Sequence, residues 1–157
     1  MLGAYGGITA PVASLATPMS EPEIPLRAPG IAFPGAEARP ESAYRTAHDL
    51  LERRAPSEAL KVLEPALELE PANRGLRLLR AWAYLMRAQL VKASDELALL
   101  VEDDPSDAWA QHALGRALER QSRHREALPH LRLAAAMSGD VEHEVAVLRV
   151  ERLAGDL

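Results

Sequence analysis

The chain has 157 residues, no cysteine and a formal net charge of −5, with acidic and basic side chains interleaved rather than segregated. That length suits one domain and a tail, and the cysteine count excludes disulfides, thiol nucleophiles and Cys-bearing zinc sites. Mixed charge argues against a nucleic-acid groove. No apolar run approaches the roughly 18 residues of a membrane helix, and the first basic residue, Arg27, comes too late for a secretory leader. The expectation is a cytoplasmic protein with no membrane insertion.

Residues 1–39 read as a Pro/Gly/Ala-rich tail, flexible or partner-docking. Pro11, Pro18, Pro22, Pro25, Pro29 and Pro34 recur there without helical periodicity, and such a stretch buries too little apolar surface to offset its ordering entropy. Its first 20 residues carry no charge and include Leu2, Tyr5, Ile8, Val12, Leu15 and Met19, which suits an extended segment lying in an apolar groove.

Pro40 opens a helical pattern. The first pair is predicted near Glu41–Arg53 and Ser57–Leu69, with Pro56 at the turn, Pro71 as the stop and a kink at Pro65. The second pair runs near Leu76–Arg87 and Leu90–Glu102 behind an Asn73 cap. The third runs near Ala108–Gln121 and Arg125–Met137, capped by Ser106 or Asp107. Asp140 can cap a last helix, Val141–Ala154, placed to cover the end of the stack.

These pairs repeat without gaps at a period of 34 residues. Ala47, Ala81 and Gly115 stand 34 apart, as do Ala59, Ala93 and Ala127; Leu50, Tyr84 and Leu118; and Leu63, Leu97 and Leu131. Pro71, Pro105 and Gly139 close the units. A repeat of this length, with small residues where two helices touch, predicts stacked helix-turn-helix units. The pattern resembles tetratricopeptide repeats, in which small residues fall at positions 8, 20 and 27 of each unit and bulky ones at 11 and 24. Arg77 and Arg80 depart from it, standing where the family has apolar residues, and Leu100 fills a small position. The resemblance implies an all-α fold, a right-handed α-solenoid of repeats 40–73, 74–107 and 108–141 with a capping helix at 142–157.

It also implies a concave groove lined by the first helix of each unit. The residues mapped there are Tyr44, His48 and Leu51; Leu78, Trp82, Leu85 and Met86; and Trp109, His112, Arg116, Glu119 and Arg120. The apolar, aromatic centre suits an inserted peptide anchored on Trp82, and Arg116 and Arg120 suit an acidic group at one end. Members that hold the acidic tails of heat-shock chaperones use a Lys/Asn/Arg clamp. The corresponding positions here are Tyr44, His48, Leu79, Trp109 and Ala113, so that activity is not expected.

No chemistry is expected. None of His48, His112, His124, His130 and His143 stands at a recognised metal or triad spacing, and Gly3 to Gly7 fits no nucleotide loop. Catalytic residues, metals and cofactors are therefore read as none. Arg-rich, Lys-poor usage points to a GC-rich bacterial source. The functional expectation is a protein–protein interaction module, an adaptor or scaffold that binds a peptide or helix of another protein. Also open are a structural subunit of a larger assembly and a dedicated chaperone resembling class II chaperones of type III secretion, which lack a long Pro-rich tail. Homo-oligomers through unpaired faces stay open too.

Overall fold

A computed structural model describes residues 39–155; apart from Arg39, the expected tail lies outside them. Within that span the chain forms seven α-helices, with no strand among the described residues: α1 Pro40–Glu52, α2 Pro56–Leu69, α3 Arg74–Met86, α4 Leu90–Asp103, α5 Ala108–Arg120, α6 His124–Ser138 and α7 Val141–Gly155. Helices α1 and α2, α3 and α4, and α5 and α6 pack as antiparallel-type pairs in sequence order, successive pairs stack, and α3 contacts both α1 and α5. This is an α-solenoid whose first helices form one layer.

Local chemistry sets the boundaries. Pro40 and Pro56 start α1 and α2, where a missing N–H is harmless. Asn73 accepts from the Leu76 N–H (3.1 Å) and Asp107 from the Ala110 N–H (2.9 Å), so Asp107 rather than Ser106 is the third unit's cap. Asp140 caps α7 through the Glu142 N–H at 2.9 Å. Helix α2 runs through the exposed Pro65.

The turn inside each pair has a shared geometry with no sequence signal. Arg54, Ala88 and Ser122, again 34 apart, hold φ values of 59°, 55° and 61°. The residue after each donates back to Leu50, Tyr84 or Leu118 at 2.8–3.0 Å, closing the helix with a left-handed residue where glycine is usual. A left-handed L-residue costs about 1–2 kcal/mol. Ala88→Gly is expected to raise stability by about 0.5–1 kcal/mol in chemical denaturation; a loss of stability would show the cost is offset at this turn.

Small residues let the paired helices close. Ala47, Ala59, Ala66, Ala81, Ala93, Ala127 and Ala134 are fully buried. The core divides at α3: Leu76, Leu79 and Ala83 join α1 and α2, while Ala81 joins α4 to α7. Tyr84 packs against both clusters, and on the same helix Arg77 and Arg80 both reach Glu96 of α4, at 2.8 and 2.6 Å. The charged departures thus form an ionic contact between α3 and α4, where the repeat pattern calls for apolar packing.

Helix α7 buries only Ala146 and Val150, and leaves Val141, Val145 and Leu148 more than half exposed. The exposed surface of α7 thus carries these apolar side chains beside Glu142 and Glu144.

Candidate functional site

Helix periodicity places two stripes side by side on α1. Ala43, Ala47 and Leu51 recur every four residues and are buried; Tyr44, His48 and Glu52 form the neighbouring exposed stripe. Leu51, expected in the groove, is 1% exposed and belongs to the core. This corrects the reading by one stripe.

Tyr44 and His48 stack (centroids 6.2 Å apart, planes at 22°), and His48 meets the Trp82 ring of α3 edge-on at 6.0 Å and 66°. Trp109 from the start of α5 joins them, with Leu78, Leu79 and Asp107, around a recess of about 290 Å3. Leu79 and Asp107 were not foreseen as lining residues. The Asp107 carboxylate is fixed by its cap bond to Ala110 and by Arg74, whose Nη2 donates at 2.6 Å. Tyr44 and Trp109 remain 42% and 43% exposed, an unusual expense of apolar surface for rings so placed.

The remaining groove residues go elsewhere. Leu85 and Met86 are half-buried against the two halves of the core. Arg120 donates to the Leu85 carbonyl at 2.9 Å. Arg116 lies 3.4 Å from Glu119, which Arg149 of α7 holds through two hydrogen bonds of 2.5 and 2.9 Å. The pair expected to hold an acidic group is thus already engaged. His112 stacks on His143 of α7 at 4.0 Å, and with Arg116, Val141, Val145 and Arg149 borders a second recess of about 270 Å3. The contribution of α7 was not foreseen, because that helix lies beyond the last full repeat.

Burial, then the neighbouring His143, Arg116 and Arg149, push the His112 imidazole down from 6.5 to about 4, against an opposing pull from Asp140. His130, beside Gln111 at 2.8 Å, is lowered in the same direction by burial. A depressed histidine favours the fold while neutral, so its contribution is present above about pH 6.5 and lost as pH falls towards 4. With solvent screening at a half-exposed ring, this amounts to about 1–2 kcal/mol. Denaturation curves at about pH 7 and about pH 5 should show that loss, and His112→Phe should flatten it; an unchanged slope would assign it to other groups.

One gathering of potential metal ligands occurs among the described residues, contrary to the spacing argument: His48, Asp49 and Glu52, with ligand atoms within 4.8 Å. His48 and Glu52 are four apart, a spacing readable in the sequence, and lie 3.9 Å from each other. The two acidic residues are exposed and all three come from one helical turn. Glu142-His143-Glu144 forms no such group; His143 lies 2.7 Å from the Ser138 hydroxyl.

The sequence model of the tetratricopeptide repeat matches residues 50–118. In fold, the chain is similar to the TPR domain of Arabidopsis OM64 (20% identity, TM-score 0.68, covering 74% of this chain and 97% of that one). It is also similar to the TPR domain of Sgt2 from Aspergillus fumigatus (20%, 0.69, 77% and 84%). A third similar structure is the first TPR of Spaghetti (RPAP3) bound to the HSP90 peptide SRMEEVD (16%, 0.69, 76% and 98%). No curated protein matches the chain in sequence. No helix among the described residues is long and apolar enough to cross a membrane.

Proposed function

We propose that this chain, which carries tetratricopeptide repeats, is a non-catalytic adaptor or accessory factor of the cytoplasm that holds a peptide or helix of a partner protein along its first-helix layer. The observation that carries this reading is the recess between α1, α3 and α5, where Tyr44, His48, Trp82 and Trp109 converge. Rings concentrated at one concavity and left partly exposed are what an interface anchor needs. The bound peptide of the RPAP3 domain lends support to peptide binding by this fold, but its acidic-tail chemistry does not carry over. At the clamp positions Leu79 and Ala113 are each 5% exposed, and neither can donate to a carboxylate.

Trp82→Ala combined with Leu78→Ala is expected to abolish capture of the partner from native lysate while leaving helical circular dichroism largely intact. Unfolding of the variant would place both side chains in the core and remove the anchor from the proposal. A second reading, a subunit built permanently into a larger assembly, is favoured by the exposed Val141, Val145 and Leu148. A stable, soluble monomer of the isolated chain would count against it.

A further inference from the structure

The aromatic recess has a chemical bias of its own. Both tryptophans of the chain line it, and the Tyr44–His48 stack and the Trp82 ring meet at a steep angle, so that rings wall it from more than one direction. Aromatic faces carry negative potential and attract cations, Trp most strongly. The one acidic side chain in the wall is Asp107; no Lys or Arg lines the recess. Asp49 and Glu52 stand beside His48 and are exposed. Arg74 pairs with one Asp107 oxygen at 2.6 Å and donates from its other nitrogen to the Leu100 carbonyl at 2.8 Å, so Asp107 offers the recess only its remaining lone pairs. The recess between α5 and α7 differs, since Arg116 and Arg149 border it together with Glu142.

A purely apolar side chain entering here would cover Asp107 and remove water from its remaining lone pairs without replacement. A cation on an alkyl stem avoids that cost: its methylenes lie on Leu78 and Leu79, and its head meets the rings and the carboxylate. The volume, about 290 Å3, suits one long side chain.

We infer that the residue this recess captures is a Lys or Arg side chain of a partner protein, seated against Tyr44, Trp82 and Trp109 with its charge towards Asp107. This rests on the groove being the binding surface and names the chemistry of its anchor.

Since Trp82 and Trp109 are the only tryptophans, intrinsic fluorescence of the full chain reads this recess directly. The probes are N-acetyl-arginine amide, N-acetyl-lysine amide and two neutral analogues of similar shape, N-acetyl-citrulline amide and N-acetyl-norleucine amide. Saturable fluorescence changes are expected with the two cations, about tenfold tighter than with the neutral analogues. Asp107→Asn keeps a good helix cap and should weaken the cations several-fold while leaving the neutral probes unchanged. Trp109→Ala, at an exposed position, should weaken the cations with Trp82 still reporting. Equal or tighter binding of the neutral probes overturns the cationic anchor and leaves the groove reading standing with an apolar one. Absence of saturation by any probe also overturns it, and the groove reading is then decided separately by partner capture with the Trp82→Ala, Leu78→Ala variant.

Discussion

Gly115→Leu is expected to remove most of the stability of the C-terminal half of the solenoid. A Cβ placed on Gly115 would stand 2.5 Å from Leu131 Cγ and 2.6 Å from Cδ2, with the Ala127 carbonyl oxygen at 3.3 Å. Leu131 is fully buried and hemmed by α5 and α6, so it has no room to retreat. Alanine alone regains up to about 1 kcal/mol of helix propensity but meets an overpacking cost of about 1–3 kcal/mol. Leucine adds three further carbons to a site that rejects the first, and the loss should exceed about 4 kcal/mol. The damage should appear as early melting of α5 to α7 ahead of α1 and α2, because each unit of a solenoid leans only on its neighbours. Gly115→Ala with Leu131→Ala supplies the control. If the close approach is the cause, the double variant loses less than the sum of the two single losses, because one change fills the space the other vacates. Strict additivity, or an unchanged melting curve for Gly115→Leu, would remove the close α5–α6 contact from the account.

The same contact shows how far the sequence could be read. Gly115, Ala81 and Ala47 repeat at 34 residues because two helices must touch there, and that constraint is visible in one sequence. Helix boundaries were legible for a related reason: Pro40, Pro56, Asn73 and Asp107 act locally, on the backbone next to them. Tyr44, Trp82 and Trp109, expected on one face from the same period, border one recess, Trp82 also packing against the core. Leu51, expected with them, lies in the core, since a single step along α1 separates the Tyr44–His48 stripe from the buried one, and residue type does not distinguish them. Asp107 serves at once as helix cap, ion-pair partner and recess wall; only the first role is local. His143 and Arg149 come from α7, where no repeat position predicts a neighbour, so their contacts with His112 and Glu119 needed the fold. The left-handed turn at Arg54, Ala88 and Ser122 carries no glycine to announce it.

Arg77 and Arg80 are the departures from the repeat with the largest energetic consequence. Glu96 accepts from both, its side chain 11% exposed, with Arg77 at 14% and Arg80 at 26%, and Asp103 takes a second bond from Arg77 at 3.1 Å. Three charges so withdrawn from water depend on one another: two cations and one anion leave a net positive charge that Asp103, at the edge, balances. Removing the central anion should therefore cost far more than a surface ion pair. Glu96→Ala is expected to lower stability by about 2–4 kcal/mol, near the range for breaking a buried pair from one side. Glu96→Gln, which retains a hydrogen-bond acceptor but no charge, should lose less. Replacing all three, Arg77→Leu, Arg80→Leu and Glu96→Leu together, should restore or exceed the original stability, because apolar packing avoids the desolvation that the ionic contact must overcome. The midpoint of a denaturant titration reads that difference directly. Should the triple variant be as unstable as Glu96→Ala, the network would be a net contributor to the fold.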